Sequence, residues 1–189
     1  DWFGEVCERT ARLVAGWMRV GFVHGVLNTD NMSILGLTID YGPYGWIDAY
    51  DPDWTPNTTD AAGRRYRFGW QPRVTYWNLG QLARALSPLF ADPALLQAGL
   101  ERFAAAYTAT DRDNTARKLG LAECRDEDVA LLRDSLVALE PCDRRGLALG
   151  VPGQEKALPI LPVDHLDERA SGQESFVAPC AGHTHSPVE

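Results

Sequence analysis

The stretch His24-Gly25-Val26-Leu27-Asn28-Thr29-Asp30-Asn31, followed by Ile39-Asp40-Tyr41-Gly42, constrains this chain more than any other part of it. It sets an amide at Asn31 and a carboxylate at Asp40, with Ser33-Ile34-Leu35 and Leu37-Thr38-Ile39 on either side of Gly36 between them. Two short, largely apolar triplets about one glycine predict a β-hairpin with a tight turn, holding Asn31 and Asp40 near each other at its open ends. Amide and carboxylate oxygens are hard donors of the kind Mg²⁺ takes beside phosphate oxygens, and such a site needs only one or two protein ligands. Each residue alone reads as a turn former. The pair, joined by a hairpin, reads as a metal site for Mg²⁺, with Mn²⁺ as the alternative ion. Asp30 is the only carboxylate inside the first loop. It is either a general base, which needs hydrogen-bond reach to an attacking hydroxyl, or a turn aspartate capping its own backbone.

The spacing resembles the catalytic and metal-binding loops of protein kinases, H-R-D-x-x-x-x-N followed by D-F-G. Aligned on His24 and Asn31, the position of the kinase base is held by Val26, which cannot accept a proton. The metal side of the pattern survives and its usual base does not, so ordinary phosphoryl transfer to a hydroxyl does not follow. His24 reads as structural, hydrogen-bonding backbone around the metal loop.

Around this centre the chain reads as mostly helical. Val6, Leu13, Val14, Trp17 and Met18 predict an amphipathic helix over residues 4–21, ending at Gly21. Residues 41–74 are rich in Gly, Pro, Asp and Asn and show no helical period, but their aromatics predict structured loop rather than disorder. Leu79, Leu82, Leu86 and Phe90 mark a second helix. Asp92-Pro93 caps a third, with Leu96, Leu100, Phe103 and Tyr107 as its stripe. Val129, Leu132, Leu136 and Leu139 mark a fourth, with Asp126 as its cap. Residues 141–189 show no sustained period and read as an irregular tail, disordered or divergent.

Arg64-Arg65-Tyr66-Arg67 is the densest basic run. It either contacts phosphate or an acidic protein, or it is a solvated loop balanced by Asp48, Asp51, Asp53 and Asp60. A formal net charge of −8 argues against sequence-independent nucleic-acid binding, and no apolar run reaches the length that spans a bilayer. The four cysteines form no C-x-x-C pair and read as reduced thiols. The opening Asp1-Trp2-Phe3-Gly4-Glu5 is neither an initiator methionine nor a signal sequence. A helix set just upstream of such a loop reads as the C-terminal piece of something longer.

The string HGVLNTDNMSILGLTIDYGPYGWIDAYDPDW (24–54), continued by GRRYRFGWQP and YWNLGQLARAL, resembles the central signature of the selenoprotein O family across roughly residues 1–140. The resemblance implies an α+β, mostly helical fold: the C-terminal lobe of a protein-kinase-like domain with a short β-hairpin at the metal site. On that reading residues 1–140 are a partial catalytic domain without its N-lobe. It implies transfer of AMP, or UMP, from a nucleoside triphosphate to Ser, Thr or Tyr of target proteins, with ATP as substrate. Asp30 corresponds to the proton acceptor, Asn31 and Asp40 to the Mg²⁺ ligands, and Asp40 also to a nucleotide contact. The family's nucleotide-gripping glycines, lysine and arginines belong to an N-terminal part outside this sequence, and residues 141–189 lack its closing pattern. The partners implied are a nucleoside triphosphate and protein substrates, with no nucleic acid and no membrane. The location implied is cytoplasmic for a bacterial member and mitochondrial for a eukaryotic one. A phosphotransferase of kinase-like fold and a catalytically inactive pseudokinase scaffold are the competing functions, Val26 weighing against the first.

Overall fold

A computed structural model describes residues 2–129 except residue 61. Helix α1 (Trp2–Val20) buries Phe3, Val6, Cys7, Ala11, Val14 and Met18 along one stripe. It stops at Gly21, whose φ of 70° is the left-handed conformation that ends helices at little cost to glycine. Helix α2 (Gln71–Leu86) and helix α3 (Ala94–Leu119) complete the helical frame. Asp92 Oδ1 accepts the Ala94 N–H at 2.9 Å, as a cap should. Gly120, with φ 67°, closes α3 by donating its N–H back to Ala116 and Arg117 carbonyls.

The core lies between α1 and α3, which run side by side in the same direction. The Phe3 ring occupies the space where a Cβ at Gly99 would come within 2.4 Å. Further along, Arg102 pairs with Glu8 at 2.7 Å, and Lys118 Nζ donates to the Arg19 carbonyl at 2.8 Å. Arg19 lies in the last turn of α1, where a cation offsets the negative end of the helix dipole. Leu100, Phe103 and Val14 are fully buried in this seam. Among the described residues no helix is long and apolar enough to cross a membrane.

Among the described residues the chain is mostly helical with one small antiparallel sheet, an α+β composition as the sequence predicts. The sheet is not where the sequence places it. Strands β1 (Phe22–Val23) and β2 (Gly45–Trp46) pair, Phe22 opposite Trp46 and Val23 opposite Gly45, while Ser33–Leu35 and Leu37–Ile39 form no strands. What remains of the expected hairpin is its turn: Gly36 N donates to Ser33 O at 3.1 Å, with Gly36 at φ 70° and close against Arg9 of α1. One carbonyl a ladder would use is committed elsewhere, and a side chain of the second triplet is tied to α1. The Ile39 carbonyl meets His24 Nε2 at 2.8 Å and the Thr38 hydroxyl accepts the Trp17 indole N–H at 2.9 Å. Ile34, Leu35 and Leu37 are exposed, so no buried face rewards pairing.

Two helix boundaries also move. α2 begins at Gln71, inside the stretch read as loop, because its buried face carries Gln71, Thr75 and Asn78 and breaks the apolar period. α3 continues past Tyr107 to Leu119 with buried Asp111 and Thr115 in its later turns. Of the fourth helix, residues 126–129 are helical, with Asp126 inside the helix rather than capping it; Leu132, Leu136, Leu139 and the tail at 141–189 lie outside the described residues.

Candidate active site

Residues 24–44 leave the β1–β2 pair as one excursion and return to it, and every predicted site residue lies on that excursion. Its first turn is closed through one carbonyl. Val26 O accepts the Asn28 N–H at 2.8 Å and the Asn31 Nδ2 at 2.7 Å. Thr29–Asn31 then form a single 3₁₀ turn, with Asn31 N donating to Asn28 O at 3.2 Å. Asp30 is the exposed middle residue of that turn. Since the nitrogen of the Asn31 amide is committed to Val26, its oxygen is what it has left to offer a cation. Val26 thus has a second role beyond lacking a carboxylate: its backbone orients the Asn31 side chain.

Asp40 sits in the left-handed region at φ 48°, which few residues other than glycine adopt and which clusters at functional sites. It is exposed, and among the described residues no cation pairs with it or with Asp30. Its charge reaches His24. Burial of the His24 ring lowers its pKa below the ordinary value, and this outweighs the Ile39 carbonyl and Asp40, which both raise it. The ring is therefore neutral, and Nε2 is the nitrogen that donates to Ile39. Nδ1 has no hydrogen-bond partner among the described residues. The histidine thus ties the start of the first loop to the residue preceding Asp40, the structural role predicted for it.

No cluster of three or more His, Cys, Asp or Glu suited to a metal occurs among the described residues. The donor set of Asn31 and Asp40 fits an ion that takes much of its coordination from phosphate and water, as Mg²⁺ does, and does not fit a protein-only cage. An open cavity of about 340 Å³ borders Thr29, Met32 and Ser33 on the side facing Asn78 and Leu82. Its lining includes neither Asp30 nor Asp40.

Three buried amides that the sequence reading did not single out hold this excursion in place. Gln71 Oε1 accepts the His24 N–H at 2.9 Å while its Nε2 donates to Phe22 O at 2.8 Å. Asn78 Nδ2 donates to Leu27 O at 3.0 Å. Asn57 Nδ2 donates to Gly25 O at 2.9 Å. Gly25 itself, at φ 83°, leaves no room for a side chain: a Cβ there would lie 2.2 Å from the Pro43 carbonyl. Gln71 and Asn78 put polar groups on the buried face of α2, where each demands a partner.

The basic run takes the second of its two readings in part. Arg67 pairs with Asp53 at 2.8 Å and stacks over Trp70 at 3.7 Å, while Arg65 stacks over Trp77 at 4.6 Å. Asp60 holds the run's backbone, its carboxylate accepting the Tyr66 N–H at 3.0 Å. The aromatics divide. Tyr50 and Phe68 are core, whereas Tyr41, Tyr44 and Trp46 pack on each other and on Phe22 at the surface, each about half exposed.

Residues 1–142 match the family described as "Protein adenylyltransferase SelO". The chain is 77% identical over 139 residues to "Protein nucleotidyltransferase YdiU" of Xanthomonas euvesicatoria pv. vesicatoria, covering 74% of this chain and 27% of that relative. It is 67% identical over 162 residues to the protein of that name from Xanthomonas oryzae pv. oryzae, covering 86% of this chain and 31% of the relative. The second match necessarily takes in part of residues 141–189. The chain spans about a quarter to a third of the length of these curated relatives.

Proposed function

Since the chain belongs to the SelO family of protein adenylyltransferases, we propose that residues 1–140 form the larger lobe of a kinase-like catalytic domain. This lobe brings the base and the metal ligands to nucleotidyl transfer onto proteins. The observation that carries the reading is the turn at Val26–Asn31. The residue at the kinase base position spends its carbonyl on Asn31, and the one carboxylate of the loop, Asp30, stands exposed on the adjoining turn. The names of the relatives support nucleotidyl transfer in general; AMP as the group moved, with UMP as the alternative, and Ser, Thr or Tyr as acceptors are the finer parts of the proposal.

The acceptor hydroxyl oxygen attacks the α-phosphorus of ATP, the bond from that phosphorus to the α,β-bridging oxygen breaks, and pyrophosphate leaves. Asp30 takes the hydroxyl proton as the new P–O bond forms. Asn31 and Asp40 would hold Mg²⁺, or Mn²⁺ in its place, with Asp40 also the nucleotide contact. When bound, the ion offsets charge developing on the leaving pyrophosphate. His24 and Gln71 keep the two halves of the excursion in register throughout. Two protein ligands leave most of the coordination to phosphates, and positioning dominates this kind of chemistry. The 189-residue chain by itself is therefore expected to transfer little or nothing. A cytoplasmic location in a bacterial cell accords with this reading.

The test uses a chimera in which this chain replaces the matching segment of the Xanthomonas euvesicatoria relative, supplied with ATP labelled at the α- or the γ-phosphate. Label arriving on protein from the α position supports the proposal. Label arriving only from the γ position makes the protein a phosphotransferase, and an active-site variant Asp40→Ala that leaves the cellular role intact makes it a scaffold.

A further inference from the structure

The hydroxyl of Tyr66 donates to Asn28 Oδ1, a bond that joins residues 38 apart in sequence and lands on the residue immediately before the Thr29–Asn31 turn. Asn28 does not use its side chain to cap that turn, so its oxygen is open to this partner. Its backbone carbonyl accepts the Asn31 N–H. One residue thus receives the tyrosine on its side chain and closes the turn with its main chain.

Tyr66 is itself held from several sides. Its backbone N–H donates to Asp60 Oδ2 at 3.0 Å, Asp60 N donates to Asn57 Oδ1 at 3.2 Å, and Asn57 Nδ2 donates to Gly25 O at 2.9 Å. Segment 57–66 therefore grips residues 25–28 at two points, Gly25 through Asn57 and Asn28 through Tyr66. Arg65 packs against the Tyr66 ring at 5.9 Å and over Trp77 of α2 at 4.6 Å, which fixes the ring to the helical frame. The phenol pKa is raised, by burial first and with contributions from Asp60 and Asp30, against the lowering influence of Arg65. The group stays a neutral donor at physiological pH.

We propose that Tyr66 is a positioning residue for nucleotidyl transfer: through Asn28 it sets the 3₁₀ turn that carries Asp30 and Asn31, and so couples segment 57–66 to the placement of the base. This rests on Asp30 being the base. A bond of this kind acts on orientation of the base and not on nucleotide affinity, so its loss appears in kcat with KM for ATP nearly unchanged.

In the chimera, Tyr66→Phe and Asn28→Ala should each lower kcat roughly tenfold, with less than a twofold change in KM and only a small fall in melting temperature. The double variant should be no slower than the slower single one, because both remove the same bond. Asn28→Asp, which keeps the acceptor oxygen, should restore most of the rate. Losses that multiply in the double variant, or an unchanged kcat in Tyr66→Phe, overturn the proposal. A second readout is independent of activity and uses the 189-residue chain: amide hydrogen exchange at Asn31 should quicken about tenfold in Tyr66→Phe, with α1 and α3 unchanged. Unaltered exchange there overturns the positioning role even if the chimera is inactive. An inactive unsubstituted chimera with faster exchange at Asn31 counts against the proposed function and leaves the Tyr66 clamp standing.

Discussion

Along the seam of α1 and α3 the contacts are made by Phe3, Val14, Met18, Leu100 and Phe103, side chains that exclude water and ask for no particular partner atom. In the excursion between β1 and β2 the apolar side chains Ile34, Leu35 and Leu37 are exposed, and the backbone is held by Gln71, Asn57, Asn78 and the ring of His24. Hydrophobic contacts are non-directional, so the seam tolerates adjustment. An amide bonded to a buried carbonyl has one geometry and a high cost if unmade. The site region is therefore placed by a few directional bonds donated from the frame, and stability and chemistry can be broken separately.

The largest separation is expected at Asp30. In the chimera, Asp30→Asn should lower kcat by about 10²–10⁴-fold, the range for loss of a general base, with the thermal melt unchanged because the residue is exposed. A residual rate within tenfold of the parent would remove the chemistry from this turn. Leu100→Ala attacks the other region. It should cost about 2–5 kcal/mol in denaturant unfolding while the folded chimera keeps its specific activity. Activity lost in proportion to stability would mean the two regions are not separable.

Gln71→Ala sits between these cases, since it strips partners from both the His24 N–H and the Phe22 carbonyl. It should cost about 1–3 kcal/mol and, unlike Leu100→Ala, also reduce kcat. An effect that appears only with pH is expected at Asp111, a buried carboxyl late in α3 whose pKa is pushed up to about 7, by burial first and against the opposing pull of Arg112. The folded chain holds this proton between the ordinary value of 3.8 and about 7, so Asp111 favours folding below that window and loses the contribution as pH rises through it. Asp111→Asn should therefore raise the melting temperature relative to the parent above pH 7, with the gap closing toward pH 4. A pH-independent gap would refute the assignment.

Tyr41, Tyr44, Trp46, Ile34, Leu35 and Leu37 are all exposed, so the excursion and strand β2 carry apolar side chains at the surface, unlike the buried helical seam. The isolated chain should accordingly self-associate at micromolar concentrations, and Trp46→Lys should reduce this in sedimentation velocity.

The sequence by itself determined much of the helical frame and supplied the pair, Asn31 and Asp40, on which the proposed site rests. Apolar periodicity over Val6–Met18 and Leu96–Tyr107, the Asp92-Pro93 cap and the glycine stop at Gly21 are local properties, and each formed as read. The Asp30-Asn31 turn and Asp40 were legible because their residue types and spacing are contiguous in the chain. Only the tertiary structure decided that Ser33–Ile39 would be a bare turn, that β1 would pair with β2, and that Gln71 would open a helix. It also decided which side chains steady the loop. Asn57 reaches Gly25 across 32 residues, Tyr66 reaches Asn28 across 38, Gln71 reaches His24 across 47 and Asn78 reaches Leu27 across 51. A hydrogen bond between distant residues leaves no period in a sequence, because its energy depends on where packing of the apolar frame brings the two groups.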